Sequence, residues 1–338
     1  MSLKKIAICL IITTLWGTMG CQKDTTPDFR GFQKPSTFPD PTYPFASNPI
    51  TEAGFSLGKK LFYDGQLSRD GSISCGNCHL QSAAFSHVDH TVSHGIDDKL
   101  GTRNTPAIQN MAWESNFMWD GGIHNLDMLP FSPIENPVEM DEKVANVLVK
   151  LRNTTDYPAL FKEAFGDTTI NSARMMQALS QFMSMLISAN SRYDQWIQGD
   201  ANALNDIEQV GLQTFRAKCA TCHIEPLFTD HSFHNNGLPI NNDKGRGRIT
   251  LNPNDDYTFK TPSLRNIEKT MPYMHNGTLH SLDDVLNHYQ NNIQQTPNVA
   301  PALANGFTLS DSEKAALKAF LLTLTDDTFI RDPLFSEF

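Results

Sequence analysis

Cysteine is scarce in this chain: six residues in 338. That is too few for a scaffold stapled by disulfides. Basic residues are outnumbered, 27 Lys and Arg against 37 Asp and Glu, for a formal charge of -10. An acidic balance argues against nucleic acid and suits a basic or neutral protein partner, where it does more than confer solubility. The apolar run near the N-terminus is too short for a membrane span. Alternating strand patterns are few, so an extensive β-sheet is not expected. The hydrophobic share is only 39%, yet 21 Phe can build a core. The length allows two domains.

What is present begins with "MSLKKIAICLIITTLWGTMGC". Two lysines, an apolar stretch and small residues before Cys21 read as an export signal over residues 1–20. Thr18-Met19-Gly20-Cys21 resembles a bacterial lipobox, with Cys21 acylated as the mature N-terminus; plain signal cleavage is the other reading. Export places the chain in the periplasm, with a lipid anchor as its only membrane association. Residues 21–50 carry Pro27, Pro35, Pro39, Pro41, Pro44 and Pro49 and read as an extended tether. Helical spacing predicts helices over 51–65, 141–153, 157–166, 204–217, 281–291 and 310–323. The run 171–197 predicts one long helix linking two domains, 51–195 and 196–338. The fold class is mostly α, with long loops around something that supplies the missing core.

With Cys9 in the apolar run and Cys21 assigned, four cysteines remain, and they are paired in sequence. "SISCGNCHLQSAAFSH" holds Cys75, Cys78 and His79; "KCATCHI" holds Cys219, Cys222 and His223. Two thiols on one helical turn can form thioethers to one haem, and the next residue, His, can supply an axial nitrogen to its iron. Zinc ribbons place their pairs closer together, and a dithiol motif expects a βαβ context that is absent. Neither explains a His after each pair. Each half also has a Gly and a Phe on a helix shortly before the motif. Each has a Thr-Pro and Arg-Asn segment, "GTRNTPAIQN" and "KTPSLRNIEKT". Two related haem modules are the simplest account.

Taken in order, "LGKKLFYDGQLSRDGSISCGNCH", "GTRNTPAIQN", "FMWDGG", "PIENPVEM", "CATCH", "FKTPSLRN" and "PYMHNG" resemble the bacterial di-haem cytochrome c peroxidase family, which includes MauG-type enzymes. The resemblance covers about residues 51–330. It implies two cytochrome c-like domains packed around an interface, with two covalent c-type haems. His79 becomes the proximal ligand of the peroxidatic iron and His223 that of the electron-transfer iron. Trp119 matches the aromatic between the haems, Glu139 the distal catalytic carboxylate and Pro133 a distal-pocket proline. A carboxylate there can take a proton from one peroxide oxygen and return it to the other. Read without the resemblance, Glu139 is a helix-start acid and Trp119 a core aromatic. The resemblance also implies calcium between the domains, held by Asn104 and the carbonyls of Thr270 and Pro272.

The sequence departs from the family in three places. Where many members carry a removable distal histidine stands Ile96, which cannot ligate iron. His94, His90 and His87 lie nearby, so a shifted loop could still supply a ligand; an open iron is the expectation. Where a methionine usually ligates the second iron stands Tyr289, as in MauG-type enzymes, with Met274 and His288 as rivals; His288 is expected to be a solvated helix residue. Leu129 stands at a distal position that is commonly Gln.

The resemblance implies an oxidoreductase that reduces hydrogen peroxide with electrons from a small donor, a cytochrome c or a cupredoxin. MauG-like oxidation of a protein substrate is the first alternative. A non-enzymatic electron carrier or redox sensor is the second, and Glu139 argues against it. A homodimer is left open.

Overall fold

The computed structural model describes residues 28–296 and 298–337. The expected signal segment and Cys21 lie outside the described residues. Among the described residues eleven α-helices follow one another: α1 Glu52–Tyr63, α2 Cys75–Cys78, α3 Phe131–Glu135, α4 Val144–Arg152, α5 Tyr157–Phe165, α6 Ser172–Met185, α7 Arg192–Ile197, α8 Asp206–Lys218, α9 Gly247–Thr250, α10 Leu282–Asn291 and α11 Asp311–Leu322. The strands are minimal. Phe233–His234 (β1) pairs antiparallel with Phe259–Lys260 (β2). The mostly α expectation holds, and no described helix is long and apolar enough to cross a membrane.

Two apolar cores organise these elements, and each is built on one crossing of two helices. In the first, α1 crosses α6 where Gly58 meets the carbonyl of Ala178; a Cβ on Gly58 would collide with it. One turn on, Phe62 packs on Phe182 with ring centroids 4.9 Å apart. In the second, α8 crosses α11 where Gly211 meets the carbonyl of Ala316. One turn on, Phe215 packs on Phe320 at 5.2 Å. Glycine allows the close approach, and the phenylalanine four residues later fills the space the crossing opens.

The repeat extends further than the sequence suggests. Thr105–Asn110 corresponds to Thr261–Asn266. Asn110 (φ 56°) and Asn266 (φ 57°) are both left-handed and start a short 3-10 turn. "FMWDG" corresponds to "YMHNG". Met118 and Met274 have φ 67° and 73°, and the turns close from Phe117 N–H to Ile123 O and from Tyr273 N–H to Leu279 O at 2.8 and 2.7 Å. The halves meet through their repeated segments: Gln109 donates to Arg265 O at 2.8 Å and accepts from Asn266 Nδ2 at 2.6 Å.

Three organisational expectations need correction. Residues 28–50 are packed, not a free tether. Phe38 and Tyr43 are buried in the first core, Trp113 Nε1 donates to Pro39 O at 2.9 Å, and Asn48 Nδ2 donates to Tyr43 Oη at 2.7 Å. The prolines keep this strap extended while its aromatics fasten it. The expected 171–197 helix breaks after α6, because tertiary partners satisfy the backbone that a helix would otherwise use. Asp326 accepts from the N–H groups of Ala189 and Asn190 at 2.9 and 2.8 Å, and Asn110 exchanges two bonds with Ser188. Ser191 and Asp194 then cap α7 reciprocally. The division at 195/196 also shifts. Tyr193 belongs to the second core, while Phe329 and Phe335 return to the first.

Candidate functional site: two cysteine–histidine turns and the joint between them

In each half a tight turn presents the cysteines and aims a histidine. His79 N–H closes on Cys75 O at 2.9 Å and His223 N–H on Cys219 O at 3.0 Å. Asn77 Oδ1 braces the first turn by accepting from Ser74 N–H and Oγ at 2.7 and 2.8 Å. His79 Nδ1 meets Phe85 O at 2.8 Å; His223 Nδ1 meets Phe228 O at 3.0 Å. A carbonyl only accepts, so Nδ1 carries the proton and Nε2 keeps a free lone pair. Both phenylalanines are fully buried and adopt left-handed backbones, φ 59° and 57°. A bulky residue takes that conformation at a cost of about 1–3 kcal/mol. Both halves accept it to orient a histidine.

The ionisation states fit a ligand set. Burial pulls His79 down to about 4 and lowers His223, so both imidazoles are neutral near pH 7. Burial pushes Cys75 up to about 12, Cys78 to about 11 and Cys219 to about 12. Reactive dithiols need the opposite shift. No two of the four thiols are joined. Thiols raised by burial at Cys75, Cys78 and Cys219, each beside an imidazole with a directed lone pair, suit covalent haem attachment in both halves.

Around the second turn a cavity is lined by Cys219, Cys222, His223, Met274 and Tyr289. Trp119 and His275 form its wall toward the first half. These two occupy equivalent positions of the repeat, and their rings meet edge-on at 6.5 Å. Trp119 Nε1 donates to Asn104 O at 2.8 Å, and Lys260 N–H donates to the Trp119 main-chain carbonyl at 2.8 Å, so the residue is held from both halves. His275 is buried, its Nε2 has no partner, and its ring stacks on Phe259 at 3.5 Å. Burial pushes Tyr289 up to about 12, with Asn236 pulling the other way. His288 is buried, not solvated, and its Nε2 binds Asn236 O at 2.9 Å. Asn104, Thr270 and Pro272 line the same cavity, and Asn104 Nδ2 donates to Thr91 O at 3.3 Å.

Glu139 belongs to the first turn. Its charge raises the Cys75 and Cys78 thiols, and burial raises its own pKa against the opposing bond from Asn136 Nδ2 at 2.6 Å. It is not a helix-start acid: α4 begins at Val144, whose N–H is taken by Glu135, while Lys143 N–H is taken by Glu142. Pro133 O accepts from Met140 N–H beside it. Ile96 is fully buried and its N–H donates to Glu139 O at 2.7 Å. His94 turns to Asp98 (2.6 Å) on the surface, meeting His90, which stacks on His87.

Some residues at the joint carried no sequence expectation. Arg103 forks onto Asp243 at 2.6 and 2.7 Å and reaches Asp120 at 2.7 Å, tying the two halves beside Trp119. Arg103 and Asp120 lie inside quoted motifs, which was the available signal. Among the described residues, Cys222, Asp230 and His234 are the one group of His, Cys and carboxylate donors close enough to share an ion. The cysteine already belongs to the second turn, and Asp230 pairs with His234 at 2.7 Å.

The two cysteine–histidine turns suit two c-type haems, and comparison with known proteins gives the class. Residues 52–202 match the di-haem cytochrome c peroxidase family. The methylamine utilization protein MauG of Methylophilus methylotrophus is 35% identical over 326 residues, 94% of each chain. The cytochrome c551 peroxidase of Nitrosomonas europaea is 32% identical, covering 80% of this chain and 79% of that one. A crystal structure of a MauG-like protein associated with microbial copper homeostasis superposes with a TM-score of 0.81 at 33% identity, covering 91% of this chain and 99% of that chain. The chain belongs to the di-haem cytochrome c peroxidase and MauG family, and two c-type haems come with that membership.

Protein matured in a periplasm should gain the mass of two haems, neither extractable with acid acetone. Replacing Cys75 and Cys78 together should remove one of them. Intact-protein mass spectrometry checks both, and a single or extractable haem would contradict the assignment.

Proposed function

We propose that this chain reduces hydrogen peroxide to water on the His79 side, using electrons that enter on the His223 side. The observation that carries the reading is Glu139, a carboxyl beside the first cysteine–histidine turn that the neighbouring helix does not use. Haem on Cys75, Cys78 and His79 would supply the iron that binds peroxide, and haem on Cys219, Cys222 and His223 the store of reducing electrons. Glu139 takes a proton from one peroxide oxygen and returns it to the other, so that water can leave. Asn136 fixes the carboxyl by binding Oε1. Ile96 fills a position without offering a donor atom. Trp119, pinned from both halves, carries electrons across the joint. Tyr289, which lines the cavity with His223, would be the second protein ligand to the iron on that side. Calcium is assigned to Asn104 and the carbonyls of Thr270 and Pro272, bracing the joint. We place the enzyme in the periplasm, anchored through Cys21, with a cytochrome c or a cupredoxin as donor.

A second reading has its own support. MauG relatives are 35% and 37% identical, above the 32% of the Nitrosomonas peroxidase, and Tyr289 and Ile96 are two of the three departures from the peroxidase pattern. In that reading the electrons come from side chains of a partner protein. Steady-state peroxide consumption with reduced cytochrome c or cupredoxin separates the two. Sustained turnover is expected. One equivalent consumed without turnover on any small donor would overturn the first reading in favour of the second.

A further inference from the structure

Asn236 follows β1, and its position is fixed from several sides. Its carbonyl accepts from the buried His288 Nε2 at 2.9 Å. On one side, Asn235 is tied to Thr296 and Asn298 at 2.9 and 3.0 Å. On the other, Gly237 O accepts from Gln294 N–H at 2.8 Å. With the main chain held, the side chain lines the cavity beside His223. There its Nδ2 donates to Met274 Sδ at 3.2 Å. The Met274 main chain is held as well, its turn closed by Gly277 N–H on Met274 O at 3.1 Å.

One amide therefore engages the sulfur of Met274, a side chain that could otherwise bind an iron beside His223. A thioether sulfur is a weak acceptor, and an N–H engaged with it competes with a metal for its lone pairs.

We propose that Asn236 selects the axial ligand of the second haem by holding Met274 off the iron, which leaves that place to Tyr289. It is a positioning residue, outside the coordination sphere, of the kind that tunes a metal through its ligands. The proposal rests on Tyr289 being the ligand, as assigned above. Thioether ligation raises a haem potential, whereas an anionic phenolate favours ferric iron and lowers it. Asn236 thus sets the potential at which electrons enter.

The test uses the haem-loaded protein and its Tyr289→Phe, Asn236→Leu, Asn236→Gln and Asn236→Leu/Met274→Leu variants. The readouts are the low-spin ferric EPR signal, the weak far-red absorption of thioether-bound ferric haem, and the midpoint potential of the second haem. Asn236→Leu should gain the far-red band and shift the potential upward. Adding Met274→Leu should abolish both changes, and Asn236→Gln, which keeps a donor, should stay near wild type. An Asn236→Leu protein identical to wild type, alongside an altered Tyr289→Phe protein, would overturn the proposal alone. A Tyr289→Phe spectrum identical to wild type would instead remove the ligand assignment beneath it.

Discussion

Glu139→Gln is expected to retain both haems and to lose peroxide turnover by about 10²–10⁴-fold, the range for a positioned general acid–base group. Glutamine fills the same space and can still meet Asn136, but it cannot shuttle a proton. The pH dependence gives a second handle on the same residue. Burial raises the Glu139 pKa. The group must be ionised to accept the first peroxide proton, so kcat/KM should fall as pH drops through that raised value. The acid limb therefore lies above the ordinary glutamate range of about 4.3. It should be absent in the glutamine variant. Steady-state kinetics across pH checks both, and near wild-type turnover in Glu139→Gln would contradict the role.

Asp194→Ala is expected to destabilise the protein by about 3–5 kcal/mol, the usual cost of leaving a buried charge without its partner. Arg265 and Asp194 have fully buried side chains, joined by two bonds of 2.8 and 2.7 Å. Arg265 also donates to Pro226 O at 3.0 and 2.7 Å, within the loop that runs from His223 to Phe228. Asp194 in turn caps α7 through Ser191. The loss should therefore loosen the His223 site as well as the start of the second core. Thermal unfolding of the haem-loaded protein measures it. Asp327→Ala, which breaks an exposed pair with Arg331, is the control and should leave the midpoint nearly unchanged. A similar midpoint for both variants would contradict the account.

Local signals were legible in the sequence and distant ones were not. The cysteine–histidine turns are contiguous, and helices such as α1 and α11 announce themselves by apolar spacing and by capping residues Thr51 and Ser310. The break at residues 186–190 was not legible, because Asp326 satisfies that backbone from far along the chain. The strap at 28–50 was misread for the same reason: its prolines are visible, but Ala112, Trp113 and Gln177, which hold it, are remote. Glu139 was legible through family resemblance alone, since its spacing also suits a helix start; only the use of Glu135 and Glu142 by α4 removes that reading. Asn236 had no signal, because an asparagine in a loop matters only through what the fold brings to it.

The central claim is an accessible peroxide site on the His79 side and a closed site on the His223 side. EPR of the fully oxidised protein, followed by peroxide addition without pre-reduction, tests it most directly. The account predicts one high-spin ferric signal from the His79 haem, one low-spin signal from the haem held by His223 and Tyr289, and immediate reaction with peroxide. Two low-spin signals, with an oxidised protein inert to peroxide, would contradict it and place His94 or a neighbouring histidine on the first iron.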